Sequence, residues 1–131
     1  MNLDFDVQVV LNNPRIQKAL ERIRDKGLRS AGFLVSSIMK RRIKRSRKPS
    51  QPGQTPHTKR GQLRRAIRYA MAYDKLSVVI GPKYSMFGPA GGAHEHGGRY
   101  KGQVFPRRPF AGPALDLAMP LIGPQFKGTV Y

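Results

Sequence analysis

Ile67-Arg-Tyr-Ala-Met-Ala-Tyr-Asp-Lys-Leu-Ser-Val-Val-Ile80 decides the fold class of this 131-residue chain. Ile67, Tyr69, Met71 and Tyr73 alternate with smaller or charged residues, and Leu76, Val78 and Ile80 resume the alternation after Asp74-Lys75. A period of two marks a strand with one buried face. A two-residue turn at Asp74-Lys75 pairs Tyr73 with Leu76, Met71 with Val78 and Tyr69 with Ile80, setting six large side chains on one face. A one-residue slip would scatter them over both. Asp-Lys is not the Asn-Gly or Asp-Gly that so tight a turn prefers, so a longer loop is the alternative.

Upstream the period changes. Ile16, Leu20, Ile23, Gly27, Ala31, Leu34 and Ile38 recur at steps of three and four, the stripe of an amphipathic helix, while Arg15, Lys18, Arg22, Lys26 and Arg29 stay in water. Asn13-Pro14 supplies a start: an N-cap side chain, then proline where its missing N–H costs nothing. Unbroken to Arg45, the helix would run about 48 Å, with Gly27 and Gly32 as its bends. Before it, Phe5, Val7, Val9 and Leu11 alternate as a half-buried strand.

Residues 49–61 hold three prolines and two glycines and read as a stiff loop, so 46–61 is expected to be an extended arm. A turn of helix is expected at Gly61–Ala66. Gly81–Gly92 reads as a surface loop, and Ala93–His96 with Gln103–Phe105 as two further strands joined through Gly97–Gly102. Pro113 opens a last helix carrying Leu115, Leu117, Ala118, Leu121 and Ile122, kinked at Pro120 and ended by Pro124. Together these give one α+β domain over 1–131: strand, long helix, Pro/Gly arm, an antiparallel sheet of about four strands and a short C-terminal helix.

Charge is the other organising feature. The chain carries 25 Lys and Arg against 7 Asp and Glu, a net charge of +18, concentrated after residue 40. Lys40, Arg41, Arg42, Lys44, Arg45, Arg47 and Lys48 form a run that leads into the arm, and Lys59 and Arg60 follow at the arm's far end. One or two cations would suit a helix C-terminus; seven exceed that and point to an acidic partner or a nucleic acid. A membrane is not expected, because no stretch approaches the roughly 18 apolar residues of a spanning helix. Met1–Asp6 is acidic where an export signal should be basic, so a cytoplasmic site of synthesis is expected.

Little in the sequence suggests bond-making chemistry. There is no cysteine, and Asp74, Glu95 and Asp116, the three acidic residues beyond position 40, offer no carboxylate pair. Neither a nucleophile elbow nor a phosphate-binding Gly-Lys loop occurs. His94-Glu95-His96 invites a metal, but on a strand His94 and His96 face one way and Glu95 the other, leaving two ligands at best. A Glu95 paired with an arginine across the sheet is the preferred reading. No catalytic residue, metal or cofactor is expected.

Five segments, taken in order, resemble the tail-completion, or tail-terminator, family of minor tail and neck proteins of tailed bacteriophages. They are Pro52-Gly-Gln-Thr-Pro56, Thr58-Lys-Arg-Gly-Gln-Leu-Arg-Arg-Ala-Ile67, Val78-Val-Ile-Gly-Pro82, His94-Glu-His-Gly-Gly98 and Phe105-Pro-Arg-Arg-Pro-Phe-Ala-Gly-Pro-Ala-Leu115. Pro52, Gly53, Pro56, Gly61, Leu63, Arg64, Ile67, Gly81, His94, Glu95, Gly97, Arg108, Pro109, Phe110 and Pro113 carry the likeness as structural positions. Ala66 stands where the family favours serine and His96 where it favours an aromatic, and the Lys40–Lys48 run is more basic than the family pattern. The resemblance implies a structural virion protein of the tail and neck, assembled in the host cytoplasm as a homo-oligomeric, six-fold ring. Such a ring terminates the tail tube and joins it to the head connector or stopper protein. From charge, Lys40–Lys48 is expected to face an acidic ring above or below, or to hold the end of the genomic DNA at rest in the channel. The alternative from charge alone is a basic nucleic-acid-binding module, of ribosomal type or associated with DNA packaging.

Overall fold

The computed structural model describes residues 13–128; the strand expected over Phe5–Leu11 lies outside them. Helix α1 spans Pro14–Arg42, opened as expected by Asn13, whose side chain accepts from the Arg15 N–H at 2.9 Å. It ends three residues short of Arg45, because Ile43 turns to extended backbone and is buried to 1 % exposure. Past that point Lys44–Arg45 (β1) pairs in parallel with His57–Thr58 (β2). Ile16, Gly27, Ala31 and Ile38 of the expected stripe are buried, Ala19, Gly32, Val35 and Met39 widen the inward face beside them, and Leu20 is exposed.

Gly27 and Gly32 sit within a continuous α1 and serve close approach. A Cβ at Gly32 would lie 2.7 Å from the Tyr69 ring and 2.8 Å from Val78, and one at Gly27 would strike the Phe126 ring. A short helix α2 (Gln62–Ala66) follows the arm, started by Gly61 in the left-handed region at φ 70°. It runs into β3 (Ile67–Met71), which pairs antiparallel with β4 (Val78–Pro82) in the expected register, Met71 opposite Val78 and Tyr69 opposite Ile80. The turn is longer than two residues: Ala72 N–H donates to Ser77 C=O, Lys75 takes φ 59°, and Asp74 caps Leu76 N–H. Tyr73 and Leu76 therefore project into solvent instead of completing the apolar face.

The remaining strands do not join this hairpin. Ala93–His96, expected as a strand, belongs to helix α4 (Ala90–His96), and the expected loop before it contains α3 (Tyr84–Phe87). Gln103–Phe105 (β6) is a strand as expected, but its partner is Gly98–Tyr100 (β5). Among the described residues the expected sheet of about four strands is thus two separate antiparallel hairpins, with the parallel β1–β2 pair as a third small sheet. Helix α5 (Ala111–Ile122) runs through Pro120 into a 3-10 turn at Gly123–Gln125. The core gathers Val35, Ile38, Met39 and Ile43 of α1's end with Leu63, Ile67, Phe110, Ala114 and Ala118. Strand, helix and arm all converge on this one end of α1.

Candidate functional site

Two constellations lie at that end, one neutralised by internal bonds and one left charged. The first is built on Glu95. Helix α5 has no side-chain cap of its own at Phe110. The Glu95 carboxylate replaces it, accepting from the N–H groups of Phe110 and Ala111 at 2.8 Å and of Gly112 at 2.9 Å. The next residue, Pro113, has no N–H, so the unpaired donors that open any α-helix are all accounted for. Gly112 permits the approach, since a Cβ there would sit 3.2 Å from the carboxylate.

The expected arginine partner for Glu95 is therefore replaced by a helix N-terminus. Arg107 Nε does reach this residue, but bonds its backbone oxygen at 3.1 Å. Burial works against ionisation of Glu95, and donation from Ala111, Phe110 and Gly112, with His96 nearby, outweighs it, holding the carboxyl below its usual range. His94 is stacked on Phe87, with its Nδ1 buried and unbonded. Burial, then the Arg108 charge, keeps its pKa below the ordinary value. Since α4 is a helix, the strand argument about where His94 and His96 point falls away. No group of three or more His, Asp or Glu side chains gathers among the described residues.

Around this cap the motif segments interlock. Gln51-Pro52-Gly53-Gln54 forms a turn, with Gly53 at φ 85° and Gln54 N–H donating to Gln51 C=O, the arrangement that favours Pro then Gly. Gly53 N–H donates to Arg107 C=O at 2.7 Å, and Arg108 bridges the other way, N–H to His94 C=O at 2.7 Å and Nε to Ser50 C=O at 2.9 Å. Gly97 at φ 73° stops α4 against Arg107. Pro56, Pro109, Phe110, Leu63 and Ile67 are buried, so the structure brings most of the sequence-selected structural positions together. Arg64 is exposed, and at Gly81 neither backbone nor space requires glycine. The residues expected as an extended arm fold back onto the body through these bonds.

The second constellation is cationic. Arg41, Arg42, Lys44, Arg45, Arg47, Lys48, Lys59 and Arg60 are exposed, and Lys40 is half-buried. Among the described residues the ion pair is Arg24 with Asp25, far along α1, and none of these nine takes part in one. Their bonds go to neutral acceptors: Arg42 to the Thr55 hydroxyl at 3.4 Å and Arg45 Nε to Lys59 C=O at 3.3 Å. Register Lys44 opposite His57 and Arg45 opposite Thr58 brings the two ends of the basic segment together. The result is an open cleft of about 520 Å³ lined by Arg41, Arg42, Lys44 and His57 with Gly53–Thr55, Pro109 and Pro113.

A third feature was not legible from spacing alone. Helix α5 turns Ala114 and Ala118 inward and leaves Leu115, Leu117, Met119 and Leu121 exposed. Alanine at the contact lets α5 lie close to α1, and the leucines then have nothing to cover them among the described residues. Comparison with known proteins finds no family model, curated protein or solved structure that matches this chain.

Proposed function

We propose that this chain is a structural subunit of a homo-oligomeric ring at the head–tail neck of a tailed bacteriophage, ending the tail tube and joining it to the head connector. The observation that carries the reading is the imbalance of apolar surface. Among the described residues, fourteen large hydrophobic side chains are exposed, from Leu20 to Phe126, whereas five of the thirteen buried hydrophobic residues are alanines. Contiguous exposed apolar surface signals contact with another protein. On α5 the exposed side chains flank the buried alanines on two sides, Leu115 with Met119 and Leu117 with Leu121, and at the β3–β4 tip they are Tyr73 and Leu76, different patches of the kind that head-to-tail ring closure requires. The order of motif segments supplies the family, and their interlocking around Glu95 supports treating them as one structural unit.

The test is native mass spectrometry of the full chain beside Leu117→Glu. The reading expects one closed oligomer, six-fold, for the unchanged chain and monomers of unchanged circular dichroism for the variant. A monomer at every concentration, also in the presence of tail tube protein, would reject it. The second reading, a basic nucleic-acid-binding module, is favoured by the unpaired cationic segment; it expects duplex binding by a protein that remains monomeric.

A further inference from the structure

We infer that the cleft between the end of α1 and the Gly53–Thr55 turn is a receptor for the phosphate backbone of a nucleic acid. This rests on the nucleic-acid-binding reading that the cationic segment favours above, and it does not require a ring. Arg41, Arg42, Lys44 and the His57 imidazole converge there, and among the described residues no carboxylate lines the cleft. Arginine forks and a lysine ammonium are the usual donors to phosphate oxygens.

The walls are fixed before any ligand arrives. The parallel pair holds Lys44 opposite His57, Ser46 N–H donates to Thr58 C=O at 3.1 Å, and His57 Nδ1 lies 3.1 Å from Lys48 C=O. Gly53 is tied to Arg107, and Arg108 to Ser50, so the turn is anchored on the 107–108 segment that leads into α5. A preformed site avoids the cost of ordering a loop on binding.

Chemistry selects a nucleic acid over an acidic protein. Protein partners anchor on apolar side chains at the centre of the contact. Among the described residues this cleft has only Pro109 and Pro113 in that role, and the rest of its described lining is charged, polar or glycine. A phosphate backbone needs no apolar centre and gains affinity from counterion release. Arg45, Arg47, Lys48, Lys59 and Arg60 on the same closed segment extend the positive surface beyond the cleft, as a polymer of phosphates would use.

The experiment is fluorescence anisotropy of the full chain with a labelled 25-base-pair duplex, about 25 pairs being ample for one site, across a series of salt concentrations. Two charge-matched variants are compared: Arg41→Gln/Arg42→Gln/Lys44→Gln in the cleft and Arg15→Gln/Lys18→Gln/Arg22→Gln at the start of α1. The control lies about 35 Å away along the helix, well beyond a Debye length of ~10 Å. The cleft variant should lose about 2 to 3 units of the slope of log affinity against log salt, and at least tenfold in affinity near 0.1 M salt, while the control changes slope by less than about one. Gln54→Glu, which removes no hydrogen bond of the turn, should weaken binding several-fold by itself.

Equal losses in both triple variants would reduce the site to diffuse charge and overturn the inference. So would unchanged binding by Gln54→Glu, or a tetranucleotide that binds as tightly as the duplex. Binding of a polyglutamate peptide but not the duplex would give the cleft to an acidic protein instead. Oligomeric state, read separately by native mass spectrometry, keeps a failed cleft distinct from a failed ring.

Discussion

The Glu95 cap and the Lys40–Lys48 segment lie at the same end of α1 and treat charge in opposite ways. One carboxylate accepts three N–H donors and is spent inside the fold. Nine neighbouring cations find no carboxylate among the described residues. A charge satisfied internally specifies structure, and a set of like charges held together against their own repulsion specifies a partner. Stability should therefore depend on the first region and binding on the second, and each prediction below tests that division.

The largest effect is expected from Phe110→Ala, which empties a fully enclosed position beside the cap and should cost about 3–5 kcal/mol in urea unfolding. Loss of that size from a domain holding roughly 5–15 kcal/mol would bring unfolding near ambient conditions. Glu95→Ala should cost about 2–3 kcal/mol, combining a lost helix cap with stranded donors. Glu95→Gln keeps one acceptor oxygen and should fall between. A Glu95→Gln protein as stable as the original would erase the distinction between the two regions.

Acid should weaken the same knot. Glu95 has a folded pKa below its ordinary 4.5, so its contribution is complete above that value and is lost as pH falls through the lower folded one. His94 is also lowered from 6.5, so protonating it costs stability in the same direction, beginning as pH drops below 6.5. Measured against pH, the stability gap between the original chain and Glu95→Gln should close below about pH 4.5. A gap that widens there would reverse the sign of the argument.

The smallest effect belongs to the cationic side. Arg47→Ser should shift unfolding by no more than about 0.5 kcal/mol, toward higher stability if mutual repulsion dominates. A cost above 1 kcal/mol would mean that this arginine is a structural group after all.

What the sequence disclosed follows the range over which each feature is encoded. Asn13-Pro14 and the Met71–Val78 register are local patterns, and both stand as expected. Helix α4 was hidden because Ala90-Gly-Gly-Ala93 carries no periodicity; its helix ends against Arg107 and supplies the cap, both tertiary facts. The Glu95 role spans 15 to 17 residues, beyond any local rule. A sign of it was present, though: Phe110-Ala-Gly-Pro113 opens a helix with no Ser, Thr, Asp or Asn, so a remote acceptor was needed. The leucines of α5 stand on a helix as expected, but which of its residues pack depends on the alanines fitting α1.

Because α5 takes its starting cap from another helix, its first turn cannot fray independently of α4. Amide hydrogens at Phe110, Ala111 and Gly112 should exchange together with those that close α4, as one opening unit. The C-terminal third of the described chain would then come apart in a single step instead of peeling back from its end.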